Sequence, residues 1–161
     1  MGLDMYLRAS KYVSGVDFVR KGEDIVREEN PAFFTLLAST GLDKSDIRND
    51  LPGGSIEFTI AYWRKVNSIH QWFVDNCADG EDDCRPAYVP REKLEELRDL
   101  VHETLTERDP DLLPPQGGFF FGSTDIDEWY WKDLEQTHEM LNSILSNPKF
   151  EGWDFEYQAS W

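Results

Sequence analysis

The two ends of the chain alternate in the same way. Leu3, Met5, Leu7 and Ala9 interleave with Asp4, Tyr6, Arg8 and Ser10, and Trp153, Phe155, Tyr157 and Ala159 interleave with Asp154, Glu156, Gln158 and Ser160. A period of two marks a strand with one face in a core and the other toward water. Such a strand needs a neighbour for its backbone groups and a layer for its apolar face. Two of them at opposite ends predict adjacent strands of one antiparallel sheet that brings the termini close. A third strand is expected at 55–62, with Ile56, Phe58 and Ile60 on one face.

The intervening sequence reads as helical. Two short helices are expected at about 17–29 and 31–39, the second with Asn30 as cap and Pro31 in its first turn. Three main helices follow at about 64–77, 90–107 and 125–146. Their stripes are Val66, Ile69, Phe73 and Cys77; then Leu94, Leu97, Val101 and Leu105; then Ile126, Tyr130, Leu134, Thr137, Leu141 and Leu145. Asp125, with Glu128 three residues on, has the spacing of a capping box. The expected fold is α+β: a small antiparallel sheet that includes both terminal strands, packed with about three main helices. At 161 residues one domain over 1–161 is expected.

Charge narrows the partners. The formal net charge of -16 sets up a field that repels phosphodiester chains and anionic membranes, so neither direct nucleic-acid binding nor membrane association is expected. The start MGLDMYLRAS has Asp4 where a signal peptide would be basic, and no apolar run approaches a membrane span, which predicts a cytoplasmic protein. In that setting Cys77 and Cys84 are expected to be reduced.

Four separated blocks then carry a resemblance. GLDMYL, YWRKVNSIHQWFVDN, LLPPQGGFFFGSTDIDEWYWKDLEQT and WDFEYQASW together resemble a family of small uncharacterised phage, prophage and bacterial proteins. The resemblance covers both ends and most of 55–161. It implies a phage or mobile-element origin, with a host-cell cytoplasmic setting, and carries over no catalytic residue.

The candidate site comes from the residues themselves. On the helix expected at 64–77, Trp63, Asn67, His70 and Val74 form a second stripe beside the core face, with Arg64 next to it. A guanidinium, an amide and an imidazole together can hold a phosphate or carboxylate. The segment GGFFFGSTD precedes the expected helix at 125. Ser123 and Thr124 add hydroxyl donors there, and Phe120 or Phe121 can stack on a ring. Phe119, Phe120 and Phe121 cannot all face inward in an extended chain. The expectation is one pocket formed by Arg64, Asn67, His70, Phe120, Phe121, Ser123 and Thr124. Its expected ligand is a small anion, including a nucleotide-like one. Asp125, Asp127 and Glu128 oppose a bare phosphate unless a cation bridges.

Other chemistries fit less well. Asp125, Asp127, Glu128 and Asp133 scatter on a helical wheel, so no single metal ion is expected to gather them. DNCADGEDD fails as a calcium loop because Cys77 and Pro86 occupy ligand positions. His70, His102 and His138 are far apart in sequence, and the cysteines lack zinc spacing. No metal and no cofactor are expected. The leading expectation is a non-enzymatic accessory protein that binds a small anionic ligand or a host protein, including a counter-defence role. The alternatives are an acidic decoy for a basic or nucleic-acid-binding host protein, and a small hydrolase or transferase using His70.

Overall fold

The computed structural model describes residues 2–161, and contains six strands and four α-helices. They run β1 (Asp4–Ser14), β2 (Val16–Lys21), β3 (Asp24–Glu29), α1 (Pro31–Ser39), β4 (Gly53–Arg64), α2 (Asn67–Cys77), β5 (Ala87–Val89), α3 (Arg91–Glu107), α4 (Glu128–Leu145) and β6 (Asp154–Ser160). β4, β1, β6 and β5 form an antiparallel sheet in that order, so the two terminal strands are neighbours. β2 and β3 form a separate antiparallel ribbon. No helix among the described residues is long and apolar enough to cross a membrane.

The chain forms two compact units. One is Ser10–Glu57, and the other comprises the residues up to Ala9 together with Phe58–Trp161. In the larger unit the alternation does what it predicts. Leu3, Met5, Leu7 and Ala9 are buried, as are Phe155, Tyr157 and Ala159. Ala61 and Trp63 from β4 and Val89 from β5 join them. The buried stripes of the helices complete the core: Ile69 and Phe73 of α2, Leu94, Leu97 and Val101 of α3, Leu134 and Leu141 of α4. Tyr157 stacks on Phe73 at 4.1 Å between ring centres. The indole of Trp63 donates to Thr137 Oγ1 at 2.9 Å, so the largest core ring has its polar atom satisfied.

Several expectations need correcting. Residues 17–29 are a hairpin and not a helix. Gly22, at φ 66°, occupies the first position of a two-residue turn, and β-branched Val16, Val19, Ile25 and Val26 favour strand on either side. The segment at 64–77 begins its helix only at Asn67, because Ala61 and Trp63 extend β4 through Arg64. Lys65 turns the corner in the left-handed region, at φ 61°. The core face of β4 is that of Ala61 and Trp63, and Phe58 is largely exposed. Helix α4 is capped by Asp127, whose carboxylate accepts from the Trp129 and Tyr130 amides, and not by Asp125. Trp72 is half-buried and meets Phe73 edge-on. His102 and His138, distant in sequence, stack at 5.2 Å where α3 meets α4.

Both cysteines are free, and burial pushes the Cys77 thiol up to about 11, away from thiolate chemistry.

Removing residues 153–161 takes Phe155, Tyr157 and Ala159 out of the core and leaves the β1 edge unpaired. Losing a buried aromatic costs about 3–5 kcal/mol, and a domain holds only about 5–15 kcal/mol in all. The truncated chain is therefore expected to show no cooperative melting transition. An unchanged transition by circular dichroism contradicts this account of the sheet.

Candidate functional site

The larger unit has a cleft of about 280 Å³ where the end of β4 and the start of α2 face the segment leading into α4. Arg64, Lys65, Asn67, Ser68, Ser123 and Trp129 line it, with Asp125, Asp127 and Asp133. This volume lies near the small end of ligand pockets.

Asn67 builds the cleft wall. Its side chain is buried, and Nδ2 donates to the carbonyls of Phe121 and Ser123, at 3.2 and 2.9 Å. Its Oδ1 accepts from the Gln116 amide at 3.0 Å. One side chain thus replaces three hydrogen-bond partners that an irregular segment would otherwise take from water. Leu3 at the start of β1 adds a backbone link: its N–H donates to the Phe120 carbonyl, and its carbonyl accepts from the Lys65 N–H. Tyr130 ties the preceding stretch to α4 by donating its hydroxyl to the Leu113 carbonyl at 2.9 Å, and burial raises that phenol to about 12.

Lys65 is positioned by what is missing beside it. A Cβ on Gly122 would lie 3.2 Å from Lys65 Cβ, and one on Gly2 would lie 3.0 Å from Lys65 Cε. Gly122 is also at φ 95°, so both its backbone and its neighbour require glycine.

The cleft has two electrostatic poles. The N-terminus of α2 has no side-chain cap, so its first-turn amides, with Lys65 and with Arg64, whose Nε lies 3.9 Å from Asp4 Oδ1, make a cationic end, and the Ser68 hydroxyl adds a neutral donor. Asp133 and Asp125 make the acidic end. Asp127 is occupied in capping α4, and Asp125 exchanges hydrogen bonds with Ser123. Asp133 has no hydrogen-bond or ion-pair partner for its carboxyl among the described residues. Burial, helped by Asp127, raises its pKa above the ordinary carboxylate value.

The structure brings Arg64, Asn67 and Ser123 to this cleft and takes His70 elsewhere. The His70 ring is fully buried. Its Nδ1 lies 2.8 Å from the Tyr157 hydroxyl and its Nε2 lies 3.1 Å from Asp82 Oδ2. Burial raises the Tyr157 pKa well above the usual phenol value, and the imidazole bridges that hydroxyl and the Asp82 carboxylate through its two ring nitrogens. The other oxygen of Asp82 accepts from the Trp161 indole at 3.1 Å. Phe121 covers the imidazole edge-on at 4.9 Å, and Phe120 stacks with Trp161 at 6.3 Å. His70, Phe120 and Phe121 therefore lock the 78–86 loop and the C-terminus to α2, and do not line the cleft. Phe119 projects outward at 96% exposure, and Thr124 is exposed without lining the cleft. Lys65, Trp129 and Asp133 line the cleft although the sequence did not single them out as ligand contacts. The readable signal for Asp133 was an acid on the shoulder of the Tyr130–Leu134 stripe.

Among the described residues no group of three or more histidine, cysteine, aspartate or glutamate side chains could hold a metal ion. No family model, curated protein or solved structure matches the chain.

Replacing His70 by alanine leaves Tyr157 and Asp82 without their shared partner and opens a cavity in the core. The expected loss is about 2–4 kcal/mol in urea denaturation. A midpoint equal to that of the parent contradicts the locking role.

Proposed function

We propose that the protein is a non-enzymatic binding protein whose cleft takes a small zwitterionic molecule. The carrying observation is the half-buried, unpartnered Asp133 in the same cleft as Arg64, Lys65 and the uncapped start of α2. A purely anionic ligand would bring its charge toward Asp125 and Asp133. A ligand with an anionic group at one end and an ammonium or other donor at the other satisfies both poles. Trp129, largely exposed at the rim, supplies a flat apolar wall for whatever joins the two groups. The sealed environment of His70 supports binding over catalysis, because a general base must reach its substrate.

The resemblance of the four sequence blocks supports a phage-type accessory role in a host cytoplasm, and the sequestering of a small molecule suits counter-defence. That part of the reading rests on context and not on the cleft.

Native mass spectrometry of the protein purified from its own cells should reveal a bound small mass. Arg64→Ala should lose that mass while its melting stays within about 0.5 kcal/mol of the parent, the scale of a surface change. Asp133→Asn should lose it too, yet melt higher. A carboxyl whose folded pKa is raised binds its proton more tightly when folded, so ionisation costs stability as pH rises through the interval between the ordinary value and the raised one. At neutral pH the amide escapes that cost. Retention of the mass by both variants overturns the two-pole cleft.

A further inference from the structure

The ribbon of β2 and β3 separates charge by face. The register pairs Phe18 with Arg27 and Arg20 with Ile25. In an antiparallel pair, directly opposed residues share a face, and alternate residues along each strand do too. One face therefore carries Phe18, Arg20, Ile25 and Arg27 together. The other carries Asp17, Asp24 and Glu28, against Lys21 alone. Glu29 is the one acid on the first face, and Lys44 already pairs with it. Arg20 and Arg27 have no acidic partner among the described residues. This is unusual in a chain with twice as many acids as bases.

The same face exposes its apolar side chains. Phe18 is 66% exposed and Ile25 is 65% exposed, although they sit diagonally across a two-stranded ribbon within reach of one another. Neither contributes to a core. A solvated hairpin would hold its strands equally well with polar residues at both positions. An apolar centre between two unpaired arginines is instead the composition of an interface anchor with a charged rim.

We propose that this face is a docking site for a protein segment that carries acidic side chains around an apolar anchor. The apolar residue would bury Phe18 and Ile25, and its flanking carboxylates would pair with Arg20 and Arg27. Charge complementarity selects this occupant. A nucleic-acid strand fits less well. A single ring offers little stacking and Ile25 offers none, whereas an apolar anchor side chain can bury both. The proposal is independent of the cleft, whose lining residues belong to the other unit.

The test uses the full chain, isotopically labelled, titrated with a short synthetic peptide that alternates glutamate with leucine. The amides of residues 16–29 should shift, and binding should weaken as salt rises from about 50 to about 300 mM. The double variant R20E/R27E should lose roughly tenfold or more in affinity, the scale of breaking close interfacial charge pairs, with its melting unchanged. F18S should lose affinity while keeping the salt dependence. A version of the peptide with lysine for glutamate should not shift these amides. Equal peptide affinity for the parent and R20E/R27E overturns the proposal. So does tighter binding of a single-stranded DNA oligonucleotide to the same amides, or self-association in sedimentation that R20E/R27E abolishes.

Discussion

The buried amide of Asn67 organises the cleft of this protein. Three hydrogen bonds converge on it from Gln116, Phe121 and Ser123. From Leu113 to Asp127 the chain forms neither helix nor strand that would satisfy its own backbone, and a buried backbone group without a partner costs about 1–3 kcal/mol. Asn67 is the first residue of α2, so the hydrogen bonds that hold the loop also hold it against the start of that helix. The cleft is the space left between them, and its cationic pole is the helix end that no side chain caps.

Stability and the proposed binding are divided among different residues. His70, Tyr157, Asp82 and Trp161 form a chain of hydrogen bonds that closes one loop and the C-terminus onto α2. These groups are sealed and act on stability. Lys65 and Asp133 work against stability where they stand. Lys65 holds a left-handed backbone, a conformation that costs a non-glycine residue of order 1 kcal/mol. Asp133 bears charge in a half-buried place without a partner. Such costs are the pattern of a site whose ligand compensates them.

The sequence made the sheet legible where alternation is long and clean. Leu3 to Ala9 and Phe155 to Ala159 allow only one assignment, and α3 and α4 have full apolar stripes. The β2–β3 ribbon was hidden because, Val16 apart, its apolar residues are not buried. Without a continuous buried face, the spacing of Val16, Val19, Ile25 and Val26 mimics a helical stripe as well as a strand. The three residues of β5 are too few to show a period. For the site, Arg64, Asn67 and Ser123 were legible as polar groups in places a core would not choose. His70 satisfied the same criterion and proved to be a core histidine, because Tyr157 and Asp82 reach it from segments far along the chain. Lys65 could not be singled out, since what places it is the absence of side chains at Gly2 and Gly122.

Amide hydrogen exchange at Gln116 tests the central claim most directly. In the parent protein this amide donates to Asn67 Oδ1, and it should exchange slowly although it lies in an irregular segment. In Asn67→Ala it should exchange far faster, while amides within α3, which do not depend on the clamp, keep their protection. If Gln116 exchanges at the same rate in both proteins, Asn67 does not hold the loop, and the cleft is not built as described.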